Sequence, residues 1–163
     1  MARRIYDGEI KIQWVPGLAA ITDLDDPTTV QLATGQDVTE FMANLSTPLE
    51  GEAAPSADLS SAFDKTVAGT FGGNISAEMY REDLVADDIA WPLFVRNTTG
   101  YMVIRRFGGT AVAFANGQIV EVWPVRVITR SPADAERGAV QTFTVSFAAL
   151  DEPVLDATVG GAS

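Results

Sequence analysis

The 163-residue sequence contains no histidine and no cysteine, and only two of its 11 basic residues are lysines. Without imidazole and thiol groups, the chain cannot use Ser-His-Asp or Cys-His catalysis, and it cannot bind zinc through histidine or cysteine. It also forms no disulfides, which is consistent with assembly in a reducing cytoplasm. The composition therefore excludes the commonest classes of hydrolase and zinc protein.

Long apolar runs are missing as well. No stretch approaches the roughly 18 apolar residues that a membrane-spanning helix needs. Residues 1–14 include two arginines but lack the apolar segment of about 7–15 residues that defines a secretion signal. We therefore predict neither a membrane span nor a signal peptide.

Positive charge is scarce: 22 acidic against 11 basic residues give a formal net charge of −11. Proteins that bind nucleic acid through phosphate contacts need a basic surface, so tight DNA or RNA binding is not expected. The chain is 47% hydrophobic, and its length suits one domain spanning residues 1–163. These numbers predict a folded, acidic, single-domain protein.

The stretch from Thr66 to Arg81 alternates over an unusual length. Successive side chains of a strand point to opposite faces, so this register predicts one buried and one solvated face. Ordinary strands have about 5–6 residues. A strand roughly three times as long indicates a sheet that reaches beyond its own domain, such as a barrel wall or an intersubunit sheet. The apolar or small face comprises Val67, Gly69, Phe71, Gly73, Ile75, Ala77 and Met79.

The remaining strands and helices are short. Pro124 interrupts one strand and indicates an edge position or a bulge, because proline cannot donate to a ladder. Two short helices are predicted after the N-cap candidates Asp26 and Asp88. Hairpin signals and alternation together predict an all-β sandwich or barrel-like sandwich with a short flanking helix. The other predicted strands are residues 9–15, 18–22, 101–107, 110–115, 119–130 and 139–148.

Two segments lack clear periodicity. Residues 44–64 are rich in Ser, Ala, Pro, Gly and acids, and a loop of about 20 residues in a compact domain is usually functional or disordered. This segment is either a flexible loop or an arm that becomes ordered against a neighbouring subunit. Residues 151–163 are predicted to form an extended C-terminal tail.

No residue cluster supports a catalytic or metal-binding prediction. Acids cluster at residues 23–26 and 78–88, but these positions are typical of helix caps and turns, and the first cluster lacks the spacing of a calcium-binding EF-hand. The three tryptophans are interpreted as core or interface anchors. We predict no enzyme activity, no metal and no cofactor.

Several segments together resemble one protein family. They are SAEMYREDLVADDIAWPLFVRNTTGYMVIRRFGG between about residues 75 and 109, the earlier ITDLDDPTTVQLATGQDVTEF, and the late strands VEVWPVRVITRSP and AVQTFTVSFAALDEP. In order and spacing they resemble the major tail tube proteins of long non-contractile-tailed bacteriophages, of the type common in phages of actinobacteria. The resemblance covers nearly the whole chain and rests on no single short motif.

The resemblance implies an assembly. Such proteins form a β-sandwich, six copies join edge to edge into a ring, and stacked rings build the tail tube of the virion after assembly in the host cytoplasm. An arm reaches to the next ring, and double-stranded DNA passes through the lumen without specific binding. The implied protein partners are a tape-measure protein and tail-tip and terminator proteins. Six chains of −11 each would give the ring a formal charge of 6 × −11, or −66.

The resemblance also suggests roles for individual residues. The candidates for the lumen face are Thr70, Asn74, Ser76 and Glu78. The candidates for the inter-ring arm are Ser46, Pro48, Glu50, Pro55 and Asp58. The candidates for intersubunit contacts are Arg105, Arg106 and Trp123, with an ion pair expected across the subunit interface.

Two other classes of protein stay open at this point. One is the inner tube of a type VI secretion system or contractile particle, which a neighbouring sheath gene would reveal. The other is a monomeric β-sandwich that binds carbohydrate or acts as an enzyme, for which an exposed aromatic platform is expected. Electron microscopy of purified protein separates tubes from monomers.

Overall fold

The computed structural model describes residues 8–55 and 66–161, and at residues 55 and 66–71 it describes the backbone alone. The described residues form nine strands, two short helices and one 3-10 helix at Thr39–Phe41. The helices are α1 (Thr29–Ala33) and α2 (Ala90–Leu93). The strands are β1 (Lys11–Pro16), β2 (Gln36–Asp37), β3 (Met42–Ser46), β4 (Leu49–Pro55), β5 (Thr66–Tyr80), β6 (Thr99–Arg105), β7 (Ile119–Pro132), β8 (Thr142–Ala149) and β9 (Val154–Thr158).

One antiparallel sheet organises the chain. Its order is β2-β1-β6-β7-β8-β5-β3, while β4 pairs with β5 and β9 pairs with β7. Every strand pair among these residues is antiparallel, so the predicted all-β class is confirmed. None of the described helices has the length and apolarity needed to cross a membrane.

The sheet is strongly curled. Strands β1 and β8 are separated by β6 and β7, so a flat sheet would place them about 14 Å apart at three spacings of roughly 4.8 Å. The ring centroids of Trp14 on β1 and Phe147 on β8 are nevertheless 6.0 Å apart, and both rings pack edge-on against Phe94 beside α2. The inner face of the curl therefore encloses the main core, as in a barrel-like sandwich.

A second core covers the outer face of β1, β6 and β7. It includes Val15, Val103 and Val122, over which Leu32 of α1 and Val159, just after β9, pack. Alternation within residues 9–15 predicts exposed positions for Lys11 and Gln13, but both are buried. Their polar ends are satisfied locally: Lys11 Nζ lies 2.7 Å from an Asp37 carboxylate oxygen, and the Gln13 amide donates to a carbonyl of α1.

Helix α1 begins two residues later than expected. Its N-cap is Thr28 rather than Asp26, since the Thr28 hydroxyl accepts from Gln31 N while the Gln31 side chain accepts from Thr28 N. This reciprocal capping box satisfies two backbone donors at once. Asp88 likewise does not cap α2; it pairs with Arg81 at 2.8 Å and ties the end of β5 to α2.

Two predicted strands are absent from the described structure. Residues 110–115 contain a turn at 110–111 and no strand, and residues 18–22 form a turn followed by bends. The first difference has a clear cause, because the buried guanidinium of Arg105 takes the carbonyls of Gly109, Val112 and Ala113 as acceptors. Carbonyls that bond to one arginine are not available to a strand ladder.

The proline in β7 lies in a central strand, which corrects the edge prediction. Strand β7 pairs with β9 through Val122 and with β8 from Val125 onward, so Pro124 stands where one partner replaces the other. The Pro124 carbonyl accepts from Leu150 N. The N–H that proline lacks would point to the same side of β7, where the pairing changes from β9 to β8. No ladder bond to β6 is lost.

The long strand is confirmed as β5, with 15 residues. Ile75, Ala77 and Met79 are buried in the main core, as the alternation predicts. The predicted loop at residues 44–64 is wrong in its described part, because that part belongs to β3 and β4, which pair along β5. The described part of the predicted C-terminal tail, residues 151–161, is extended in β9 and is paired with β7.

We expect Phe147→Ala to lower the free energy of unfolding by about 3–5 kcal/mol, because a fully buried ring is lost from the contact that holds the curl. Urea denaturation of purified protein measures this change. The control is Val140→Ala at a well-exposed position, where the expected change is within about 0.5 kcal/mol. Similar decreases in the free energy of unfolding of the two variants would contradict the role of Phe147 in holding the curled sheet together.

Candidate functional site

The outer face of β7, β8, β5 and β3 carries short polar side chains in register. One row across the four strands reads Ser131, Thr144, Glu78 and Asn44, and the next reads Thr129, Ser146, Ser76 and Ser46. A third row, which reaches three strands, runs through Arg126, Ala148 and Asn74. We call these three rows the polar face.

The polar face is open to solvent in the single chain. Asn74, Ser76 and Glu78 are exposed, while the neighbouring positions of β5 are buried in the main core. In the three rows, Glu78 is the one carboxylate and Arg126 the one base. This exposed surface is therefore rich in hydroxyl groups and nearly uncharged, although the chain as a whole is strongly acidic.

Three of the four lumen candidates lie side by side on this face. Asn74, Ser76 and Glu78 follow β5 at every second residue and contact β8 through their cross-strand partners. Thr70 belongs to β5 by its backbone, but its side chain lies outside the described residues. Alternation within β5 predicted this set. The contribution of β8 and β7 to the face was missed, because it depends on strand order and register.

Both edges of the polar face are open in the described residues. On one side β3 has β5 as its neighbour and no strand beyond it. On the other side β6 pairs with β7 only as far as Arg126, so residues 128–132 of β7 have β8 as their one strand partner. Unpaired edges expose backbone donors and acceptors that can bond to another chain.

Strands β4 and β5 form a projecting hairpin. The pairing of β5 with β8 stops at Asn74, whereas β4 pairs with β5 from Gly73 down to Thr66. This two-stranded ribbon therefore extends beyond the sheet by about 20 Å, at roughly 3.3 Å per residue. Two-stranded ribbons are marginally stable in water on their own, so a surface that supports it is expected.

The root of the hairpin is anchored to the sheet. Arg106 pairs with Glu121 on β7, and it also donates to the Thr47 hydroxyl between β3 and β4 at 3.2 Å. The indole of Trp123 donates to the same glutamate at 3.3 Å. Gly73 lies close above that indole, since a Cβ at this position would come within 3.4 Å of it. These contacts fix the position at which the hairpin leaves the sheet.

The arm candidates fall on different parts of this structure. Glu50 is exposed on β4, and Pro48 is exposed at the root. Ser46 instead belongs to the polar face, opposite Ser76. The backbone of Pro55 ends β4, and Asp58 lies outside the described residues.

Two of the three intersubunit candidates are corrected. Trp123 and Arg105 are each 1% exposed, so neither offers surface to a neighbour. Burial lowers the pKa of the Arg105 guanidinium, an effect that the charge of Asp37 opposes. Arg106 forms its ion pair within the chain rather than across an interface, because the sheet brings Glu121 beside it.

Carboxylates of the two acidic clusters take part in a turn and in an ion pair. Among the described residues, no group of three or more carboxylates is arranged to hold a metal ion. In the first cluster, the Asp23 carboxylate accepts from Asp25 N, which is the geometry of a turn. Trp91 stacks between the guanidinium carbons of Arg81 and Arg130, at 4.1 and 3.8 Å from its ring centroid. These cations hold the indole in a structural stack, as the core or interface interpretation allows.

We expect Arg106→Ala to loosen the hairpin root, because the substitution leaves the largely buried Glu121 carboxylate without its cation. The free energy of unfolding should fall by about 1–3 kcal/mol. Amide hydrogen exchange should rise in residues 49–54 and stay unchanged in β8. Arg96→Ala is the control, since Arg96 is exposed. Equal exchange of the hairpin in both variants would contradict the anchor.

Comparison with known proteins identifies the family. The family model described as phage tail tube protein matches residues 1–162. No match was found among curated proteins. Solved structures of similar fold include the following three. One is the tail of an empty gene transfer agent particle, refined with C6 symmetry (TM-score 0.59, 13% identity, covering 96% of this chain and 100% of that chain).

The other two similar structures are also particle components. One comes from the virion of a native gene transfer agent (TM-score 0.56, 12% identity, 96% and 100% coverage). The second comes from the six-fold symmetrised baseplate of the anti-feeding prophage (TM-score 0.56, 10% identity, 94% and 97% coverage). The family match spans nearly the entire sequence, and these three particle structures share the overall fold of the chain. The chain belongs to the phage tail tube protein family.

Proposed function

We propose that this chain builds the tail tube of a bacteriophage as stacked rings of six subunits, with the polar face lining the channel. The observation that carries the proposal is the polar face itself: an exposed, hydroxyl-rich sheet face with an open strand at each side. Six-fold symmetry is a property of two of the similar particle structures. Transfer of that symmetry to this chain is part of the proposal.

The two open edges provide a way to close a ring. The outer edge of β3 in one copy would pair with residues 128–132 of β7 in the next. Six sheets of four strands then form a barrel of 24 strands, and a barrel has no exposed edges. At about 4.8 Å per strand the circumference is about 115 Å, so the backbone diameter is about 37 Å before strand tilt widens it.

A nearly uncharged wall suits the passage of DNA. Lysines and arginines on the wall would bind phosphates and release counterions, which would hold the DNA in place. On the polar face, Glu78 offsets the charge of Arg126, so the three rows carry no net charge, and the short hydroxyl side chains present no obstacle. The role is structural rather than enzymatic, and the proposed cargo is double-stranded DNA preceded by a tape-measure protein, with terminator and tail-tip proteins at the ends.

The projecting hairpin is proposed as the arm between rings. Its ribbon extends past the sheet without a third strand, and an isolated two-stranded ribbon gains stability by packing on another surface. The neighbouring ring supplies such a surface along the tube axis. The anchored root at Arg106 and Thr47 gives the arm a defined direction.

Because one similar structure comes from the anti-feeding prophage, a second and related function has to be distinguished from the proposed one. That structure shares the fold at 10% identity, which does not separate a non-contractile tail from the inner tube of a contractile particle. A sheath gene beside this one would favour the contractile tube. The polar face and the hairpin would serve either assembly in the same way.

Replacement of Glu78 by Lys should slow DNA ejection and make it depend on salt. Each lysine that contacts a phosphate steepens the logarithmic salt dependence by about 0.9, and a ring contributes several such contacts. Fluorescence of released DNA, from phage particles that carry the variant tail, measures the rate at different salt concentrations.

The control for this experiment is Glu136→Lys, which makes the same charge change at an exposed residue between β7 and β8. Ejection from the control particles should match wild type. If Glu78→Lys particles eject DNA as fast as the control at all salt concentrations, Glu78 does not face the channel.

Shortening the hairpin should separate ring formation from stacking. Replacing residues 50–72 by Asn-Gly keeps the Leu49–Gly73 pair and closes the ribbon with a favoured hairpin turn. We expect a protein that still unfolds cooperatively and still forms rings, but that forms no stacked tubes in negative-stain electron microscopy. Tubes of normal length from this variant would contradict the arm role.

A further inference from the structure

A groove with apolar walls lies at the end of the sheet where β7 begins. It encloses about 470 Å³, and its walls include Phe107, Ile119 and Leu155. These three side chains are between 39% and 53% exposed. Contiguous exposed apolar side chains mark contact sites, whereas single exposed ones are ordinary. The groove therefore suits an occupant that supplies apolar side chains.

The charges around the groove favour a basic occupant. Two arginines line it, but Arg105 donates to carbonyls of its own loop and Arg106 forms an ion pair with Glu121. The exposed carboxylate of Asp156 also lines the groove, and it takes part in none of the ion pairs between described residues. The charge that is left without a counter-charge in the groove is therefore negative.

The described residues begin at the wall of this groove. Gly8 O accepts from Thr110 N at 2.8 Å, and the Glu9 carboxylate accepts from Gly108 N at 3.1 Å. Gly108 itself lines the groove. The peptide that precedes Gly8 is therefore attached directly beside the groove, and Glu9 adds a second carboxylate there.

Residues 1–7, which lie outside the described part of the chain, are long enough to cross the groove. Strand β6 lies between β1 and β7, so the start of β7 is about 10 Å across the sheet from β1, at roughly 4.8 Å per spacing. Seven residues span at most about 25 Å. Their sequence, MARRIYD, supplies two bases, Arg3 and Arg4, followed by the large side chains of Ile5 and Tyr6.

We propose that residues 1–7 bind in the groove of their own chain. In this arrangement Ile5 and Tyr6 cover the apolar walls, and the two arginines lie near the carboxylates of Asp156 and Glu9. Attachment beside the groove makes the binding intramolecular, so a weak contact is enough to keep the groove occupied. The inference does not depend on the tube-building role, and it uses a surface distinct from the polar face and from the hairpin.

Disulfide formation between two introduced cysteines tests the contact, and the natural chain contains no cysteine to interfere. Ile5→Cys is combined with Ile119→Cys in one variant and with Val112→Cys in a matched control. Val112 is exposed and follows Thr110, which bonds to Gly8, but it does not line the groove. A segment attached at Gly8 reaches both positions, so tethering alone does not separate the two variants.

Under mild oxidation of the native protein, we expect the disulfide between positions 5 and 119 to form at least about tenfold faster than the one between positions 5 and 112, since binding raises the effective concentration of the paired thiols. The rates follow from the loss of free thiol over time. The difference should vanish in denaturant, which shows that it requires the folded groove.

Charge reversal provides a second measurement. Adding Asp156→Lys to the variant with cysteines at positions 5 and 119 should slow disulfide formation by about two- to fivefold, the range expected of an exposed ion pair. Adding Arg3→Asp and Arg4→Asp to that protein should restore the rate, because the attraction is rebuilt with its signs exchanged.

Three results would overturn the proposal. The first is an equal rate for the two cysteine pairs in the native protein. The second is a disulfide that joins two chains on a non-reducing gel, which would place the segment in the groove of a second copy. The third is a rate that Asp156→Lys leaves unchanged.

Discussion

The packing of Trp14 and Phe147 against Phe94 is the contact on which the rest of the structure depends. It draws β1 and β8 together across two intervening strands, so the sheet must curl around one apolar interior. Because strand side chains alternate, curling the apolar side inward turns Asn74, Ser76 and their register partners outward. The polar face is therefore a direct consequence of where the aromatic residues lie, and it needs no further interaction to hold it in place.

A curled open sheet also leaves its edges and its longest strand unsupported. Strand β5 continues past Asn74 with β4 as its one partner, and the edges at β3 and at the end of β7 expose backbone groups. A monomer gains nothing from these features, since unpaired edges invite association. In the proposed ring these edges are the joints between subunits, so features that destabilise one copy would stabilise the assembly. The proposal thus treats the chain as one part of a larger barrel.

The alternation of side chains along the sequence predicted those features that are determined within a single strand. The alternation of Ile75, Ala77 and Met79 with Asn74, Ser76 and Glu78 was readable because a two-faced strand requires it. Strands β3 and β4 could not be predicted, because their Ser, Ala, Pro and Gly residues have weak strand preference and their pairing depends on β5. Arg105 was assigned to an interface, although it lies in the interior and holds the loop at residues 109–113. The interior position of Arg105 depends on the tertiary fold, which the spacing of residues in the sequence does not reveal.

The central claim is that the polar face lines the channel of an assembled tube. An electron cryomicroscopy reconstruction of the purified tube at side-chain resolution tests it directly. The account predicts that Asn74, Ser76, Glu78, Thr144 and Ser146 face the lumen, with β3 of one subunit bonded to residues 128–132 of the next. A tube in which these side chains face the outer surface, or pack against a neighbouring subunit, would contradict the account.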